Sequence, residues 1–123
     1  MMKPVHLSWL LALTASLPSI AVAAPLAKPS AFAICSACHQ VTAGARSTVG
    51  PNLWGVGGRK AGSLPGFAYS PAMKAVPFKW DQAKLVAFLK NPKAVVPGTR
   101  MAFVGISDPA RATEVANYLL SLK

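Results

Sequence analysis

Cys35-Ser36-Ala37-Cys38-His39 is the stretch from which the fold of this chain is read. Two cysteines three apart, with a histidine beside the second, form the C-x-x-C-H pattern of haem attachment. The spacing has a chemical reason. On one helical turn, residues three apart share a face, so both thiols reach the two vinyl groups on one edge of a porphyrin. The adjacent histidine is then held beneath the iron as its proximal ligand. Other uses of the same residues fit less well. A structural zinc site needs four ligands, but the chain has no further cysteine and its only other histidine is His6. A thioredoxin-like dithiol expects a βαβ context, and none is legible. A plain disulfide suits an oxidising compartment but leaves His39 unexplained.

The 123 residues suffice for one domain. Residues 1–23 read as a separate, cleavable secretory signal. Lys3 supplies the positive start, residues 7–17 are apolar, Pro18 and Ser19 break the run, and Ala21-Val22-Ala23 has the small-x-small form of a cleavage site. The apolar run falls short of the roughly 20 residues that span a bilayer. The remaining 24–123 form the single haem-carrying domain, expected in the periplasm, where a thin core gains apolar contact from the porphyrin.

Charge is lopsided. Thirteen Lys and Arg face only Asp81, Asp108 and Glu114, for a net +10. Such a surface steers acidic partners. The basic residues are scattered rather than striped, and with export this argues against nucleic acid.

The rest of the chain reads as all-α. A short helix is expected from about Ser30 into the motif, with Phe32 and Ile34 in the core. Residues 50–62 carry too many glycines for a long element. They lack the Gly-Lys-Ser/Thr of a phosphate loop, so they allow close approach to a flat ligand. Pro71 opens a short helix. Asp81 caps another, which ends before Asn91-Pro92 and has Leu85, Phe88 and Leu89 on one face. Ser107-Asp108-Pro109 starts the last, whose apolar side is Val115, Tyr118, Leu119 and Leu122. Three main helices and two lesser ones are thus expected, separated by long loops, which a small domain tolerates when they wrap something.

The candidates for a sixth ligand are Met73, Met101, a lysine, or no protein group. Met101 sits in a rigid Pro-Gly loop far from His39 in sequence, where it can approach the opposite porphyrin face. Met73 lies in a helical stretch, where methionine more often fills core. A thioether on iron raises the reduction potential. With both axial positions filled by protein, small ligands are excluded and electron transfer remains.

The whole of 24–123 resembles the class I cytochromes c, of the soluble mitochondrial type and its bacterial periplasmic relatives. The likeness runs through Cys35-Ser36-Ala37-Cys38-His39, Gly50-Pro51-Asn52-Leu53-Trp54-Gly55, Gly58-Arg59-Lys60 and Pro65-Gly66-Phe67-Ala68-Tyr69. It continues through Trp80, Leu89-Lys90-Asn91-Pro92-Lys93, Pro97-Gly98-Thr99-Arg100-Met101 and Phe103-Val104-Gly105-Ile106. It implies one haem c with thioethers from Cys35 and Cys38 and axial His39 and Met101. It implies that the Pro51 carbonyl accepts the His39 ring N–H. It also implies that Tyr69 and Trp80 bond a haem propionate beside Arg59, that Thr99 contacts the other propionate region, and that Phe103 covers the exposed edge.

The implied activity is periplasmic one-electron transfer by a monomer, with no catalysis. The implied partners are redox proteins with acidic docking surfaces, such as a cytochrome bc complex and a terminal oxidase or reductase. The rival reading is a haem-based sensor or peroxidase-like enzyme with a labile sixth site. The chain departs from the mitochondrial type at several places. Phe88 replaces a tyrosine that bonds the methionine sulfur, and Met73 an asparagine in a buried water network. Arg100 and Ala94 replace loop lysines, and Lys28 stands near the usual glycine of the first helix.

Overall fold

The C-terminal helix is the beam against which the rest is assembled. In this computed structural model, which describes residues 1–4 and 11–123, it runs Pro109–Leu120. Asp108 caps it by accepting from the Ala110 N–H at 2.9 Å, and Pro109 occupies its first turn, where no donor is missed. Ala112, Val115, Ala116, Tyr118 and Leu119 bury one side. The two alanines keep that side narrow enough for a second helix to pack closely.

That second helix spans Gln82–Lys90, and its N-cap, Asp81, accepts from the Lys84 N–H at 2.8 Å. Leu85, Phe88 and Leu89 are buried, as the spacing predicts. Numbered in chain order, the short Pro71–Lys74 helix is α1, Gln82–Lys90 is α2, Pro92–Val95 is α3 and Pro109–Leu120 is α4. The α2–α4 pair makes the most extensive helix contact and is tied at its edge by Gln82 Nε2 donating to Asn117 Oδ1 at 2.6 Å. α3 was not foreseen. Asn91 ends α2 and at once caps α3, its side chain accepting from the Ala94 N–H.

The first of the expected main helices takes a different form. Residues 30–38 make two separate 3-10 turns, Ser30–Phe32 and Cys35–Ala37. Pro29 blocks extension backwards and neither turn has a side-chain cap. Without a side-chain cap for its first N–H groups the segment winds into 3-10 turns, whereas the capped four-residue α1 and α3 wind as α-helices. The tighter winding suits the motif, because residues three apart eclipse in a 3-10 turn. Phe32 is fully buried and meets the Tyr118 ring edge-on at 5.1 Å, fastening this segment to α4, whereas Ile34, expected in the core, is exposed at the cavity.

Among the described residues there is no strand, only an isolated antiparallel bridge between Lys60 and Lys79. It staples the glycine-rich loop to the segment leading into α2, with the Gly58 N–H on the Trp80 carbonyl and the Trp80 N–H on the Arg59 carbonyl.

Residues 11–28 are exposed throughout. Their first tie to the body is the Leu26 N–H on Ser121 Oγ at 2.9 Å. Val5, His6, Leu7, Ser8, Trp9 and Leu10, which include the start of the expected signal's apolar run at Leu7, lie outside the described residues. No helix among the described residues is long and apolar enough to cross a membrane.

Candidate functional site

A cavity of about 460 Å³ opens between the motif turn, α2, α4 and the loop that carries Met101. Its size is that of a cofactor pocket, and its walls are mostly apolar. Cys35, Cys38, His39, Pro51, Arg59, Tyr69, Trp80, Thr99, Met101 and Phe103 all line it. Ten residues spread over nearly seventy positions of sequence therefore converge on one space.

The thiols of Cys35 and Cys38 are both free and half-buried. The N–H groups of Cys38 and His39 share the Cys35 carbonyl, at 3.1 and 2.9 Å, which closes the motif into one compact turn. Burial pushes the Cys35 thiol up from its ordinary value, so the group stands protonated.

His39 Nδ1 lies 2.7 Å from the Pro51 carbonyl oxygen. A carbonyl only accepts, so Nδ1 carries the proton and Nε2 keeps its lone pair. Burial pulls the imidazole below its ordinary value, with the Pro51 bond acting weakly in the other direction. The neutral form, with its Nε2 lone pair free, is thereby favoured. Gly50 is buried against the ring. A Cβ there would overlap the imidazole, standing 2.7 Å from Nδ1.

The loop that presents Pro51 is organised by a residue whose role the sequence reading missed. Asn52 is buried, and its Nδ2 donates to the carbonyls of Thr42 and Ala45 at 2.8 and 2.9 Å. Its Oδ1 accepts from the Trp54 N–H, and its own N–H donates to Ser47 Oγ. An asparagine inside a long loop, next to a proline, is the one signal that could have shown it.

Arg59 is half-buried and donates to the carbonyls of Asn52 and Trp54, at 3.1 and 3.3 Å. Burial lowers its guanidinium somewhat, countered by Tyr69, and a guanidinium retains its charge. Tyr69 Oη accepts from the Leu64 N–H at 3.3 Å, leaving its own proton to donate elsewhere. Trp80 is wedged between Phe78 and Phe88, with ring centroids 5.2 and 5.1 Å away.

Thr99 Oγ1 accepts from the Met101 N–H at 3.3 Å and so shapes the loop that carries the thioether. Met73, half-buried, packs against the core and lines the same cavity, so both of its expected uses stay open.

The donor set fits one haem c. Two adjacent thiols, an imidazole with a free Nε2 and a thioether face one apolar space, with a cation and a phenol on its wall to meet carboxylates.

No family model matches the chain. Curated relatives do. A cytochrome c2 of Rhodomicrobium vannielii is 46% identical over 108 residues, covering 88% of this chain and 86% of its own length. A cytochrome c2 iso-2 of Magnetospirillum fulvum is 47% identical over 94 residues, covering 76% and 97%. Among solved structures, cytochrome cH from Methylobacterium extorquens superposes with a TM-score of 0.68 at 48% identity, covering 72% of this chain and 89% of that one.

Proposed function

The chain belongs to the class I monohaem cytochromes c, and we propose that it works in the periplasm as a one-electron carrier between membrane-bound or periplasmic redox enzymes. As a member of that family it carries one covalent haem c and moves electrons; it is not an enzyme. The haem supplies the one-electron iron couple. Cys35 and Cys38 would hold it through thioethers, and His39 and Met101 would ligate its iron. The observation that carries this reading is the meeting of those four side chains in one cavity, with the Pro51 carbonyl leaving His39 Nε2 free.

The other residues tune and shield. The Pro51 bond orients the imidazole and raises its basicity. Trp80, Phe88, Leu85 and Leu89 keep water from the cavity, and a dry, apolar surrounding favours the less charged, reduced state. Arg59, Tyr69, Trp80 and Thr99 meet the propionates, and Phe103 covers the edge.

Export is supported by the small-x-small site at Ala21-Val22-Ala23 and by the exposure of residues 11–23, whose removal opens no core. Residues 24–123 are then the working domain. Lys60, Lys74, Lys84, Lys93 and Arg100 are exposed, and among the described residues only Arg111 is held in an ion pair, with Asp108. These cations suit brief, salt-sensitive docking on acidic patches of partners such as a cytochrome bc complex and a terminal oxidase.

The test is the visible spectrum of the haem-loaded protein, oxidised and reduced, with and without carbon monoxide. A low-spin spectrum with the weak far-red band of a sulfur-ligated ferric haem, indifferent to carbon monoxide, is expected. A high-spin spectrum or ready carbon monoxide binding overturns the carrier reading in favour of a sensor or peroxidase-like protein.

A further inference from the structure

Two thioethers, not one, face the cavity. Met73 and Met101 both line it and both are half-buried. They come from segments that touch, since a Cβ on Gly98 would stand 3.3 Å from the Ala72 Cβ. Met73 follows Ala72 directly, and Met101 lies three residues beyond Gly98. We propose that Met73 is a reserve axial ligand, whose sulfur takes the iron when Met101 leaves it. The inference rests on the His39–Met101 ligation proposed above.

The backbones that carry the two sulfurs are held differently. Met73 sits on α1, whose cap Ser70 is buried and accepts from the Met73 N–H at 3.1 Å. The Lys74 and Ala75 N–H groups continue the turn onto Ser70 and Pro71. On its other side the Met73 carbonyl rests on Gly62, where a Cβ would come within 2.7 Å and where φ is +68°. The glycine is required there on both counts. Met101 is carried by a loop whose bonds between residues 99 and 105 are local. The Met101 N–H reaches Thr99 Oγ1, and the Phe103 N–H reaches the Met101 carbonyl. Its neighbours Arg100, Ala102 and Val104 are exposed. A segment with exposed flanks and few long-range bonds opens at low cost, while α1 stays in place.

The exchange is chemically simple. One iron–sulfur bond breaks and another forms, each from a neutral thioether lone pair. No proton or electron moves, so the swap needs no rise in pH, unlike substitution by a lysine. Methionine has three rotatable side-chain bonds and repacks readily. Met73 can therefore stand against the wall while Met101 is bound.

The test uses the haem-loaded protein as wild type, Met73→Leu, Met101→Leu and the double variant. Leucine conserves volume, so the cavity wall is retained. Three readouts are taken: the far-red band, the ring-current-shifted methyl resonance of ¹³C-methyl-methionine in the reduced state, and carbon monoxide affinity. Once residues 1–23 are removed, Met73 and Met101 are the only methionines, so the methyl signals assign themselves.

Met73→Leu is expected to keep the Met101 signature, the far-red band and one strongly shifted methyl. Met101→Leu is expected to keep the far-red band and one strongly shifted methyl. Its carbon monoxide affinity is expected to be about tenfold weaker than that of the double variant, as when a competing ligand holds the site nine-tenths of the time. If Met101→Leu instead equals the double variant, or is low-spin without a shifted methyl, the reserve role is overturned. If wild type itself lacks the band and the shifted methyl, the His39–Met101 ligation fails, and this inference falls with it.

Discussion

His39 and Pro51 stand twelve residues apart and are joined at 2.7 Å, imidazole Nδ1 to carbonyl oxygen. Through that bond the orientation of the imidazole answers to the loop of residues 40–54. The Gly50 N–H on the Cys38 carbonyl and the Leu53 N–H on the Gln40 carbonyl close the same loop onto the motif. Asn52, adjacent to Pro51, holds it from inside.

Asn52→Ala removes the donors from two carbonyls and an acceptor from the Trp54 N–H. We expect a loss of about 1–3 kcal/mol of stability from the unpaired backbone groups. The reduction potential should rise as the Pro51 bond loosens and the imidazole becomes a poorer donor. Denaturant midpoint and potentiometric titration check both. A stable variant with an unaltered potential would mean that Asn52 does not position Pro51.

Gly50→Ala places a methyl in the His39 ring. Covalent haem yield in a periplasmic expression host should fall sharply, read as haem absorbance per unit of protein. Gly44→Ala is the control. It has positive φ but nothing within 4 Å, so it should cost about 1–2 kcal/mol of backbone strain and still load haem.

Phe88→Tyr brings a hydroxyl into the cavity wall beside Trp80. The expected result is a lower reduction potential, because greater polarity near Met101 favours the more charged, oxidised iron. Burying the hydroxyl without a partner costs about 1–3 kcal/mol, so a simultaneous loss of stability would indicate that no bond to sulfur forms. A potential unchanged within error counts against the dry-cavity account.

At alkaline pH a loop lysine that loses its proton offers the iron a lone pair in place of the Met101 sulfur. Arg100, beside Met101, is always charged and offers none. Lys93, exposed on α3 next to the Met101 loop in sequence, is the expected replacement. Lys93→Ala should raise the midpoint of the alkaline transition by roughly one pH unit, equivalent to about 1.4 kcal/mol. Loss of the far-red band followed against pH measures it.

The helices on α2 and α4 were legible because Asp81 and Asp108 are cap residues ahead of apolar spacing, and both behave as caps in the fold. Their core faces followed from the same spacing. The attachment motif and its ligand candidates were also legible, because the chemistry of haem needs those residue types at that separation. The 3-10 form of residues 30–38 was not, because the choice between 3-10 and α winding depends on capping, on Pro29 and on docking of Phe32 against Tyr118. Nor was α3, where one asparagine both ends a helix and starts another.

Sequence by itself thus determined the chemistry of this protein: which thiols, which imidazole and which thioethers are present, and that the surface is cationic. Tertiary structure alone decided the placement. The role of Asn52, the close fit of Gly50 on the His39 ring and the entry of Met73 into the cavity beside Met101 all depend on contacts between distant segments. Such contacts arise only when long loops close around a shared core. Local propensity has no knowledge of them, because the free energy that selects them is packing and hydrogen-bond satisfaction across the whole domain.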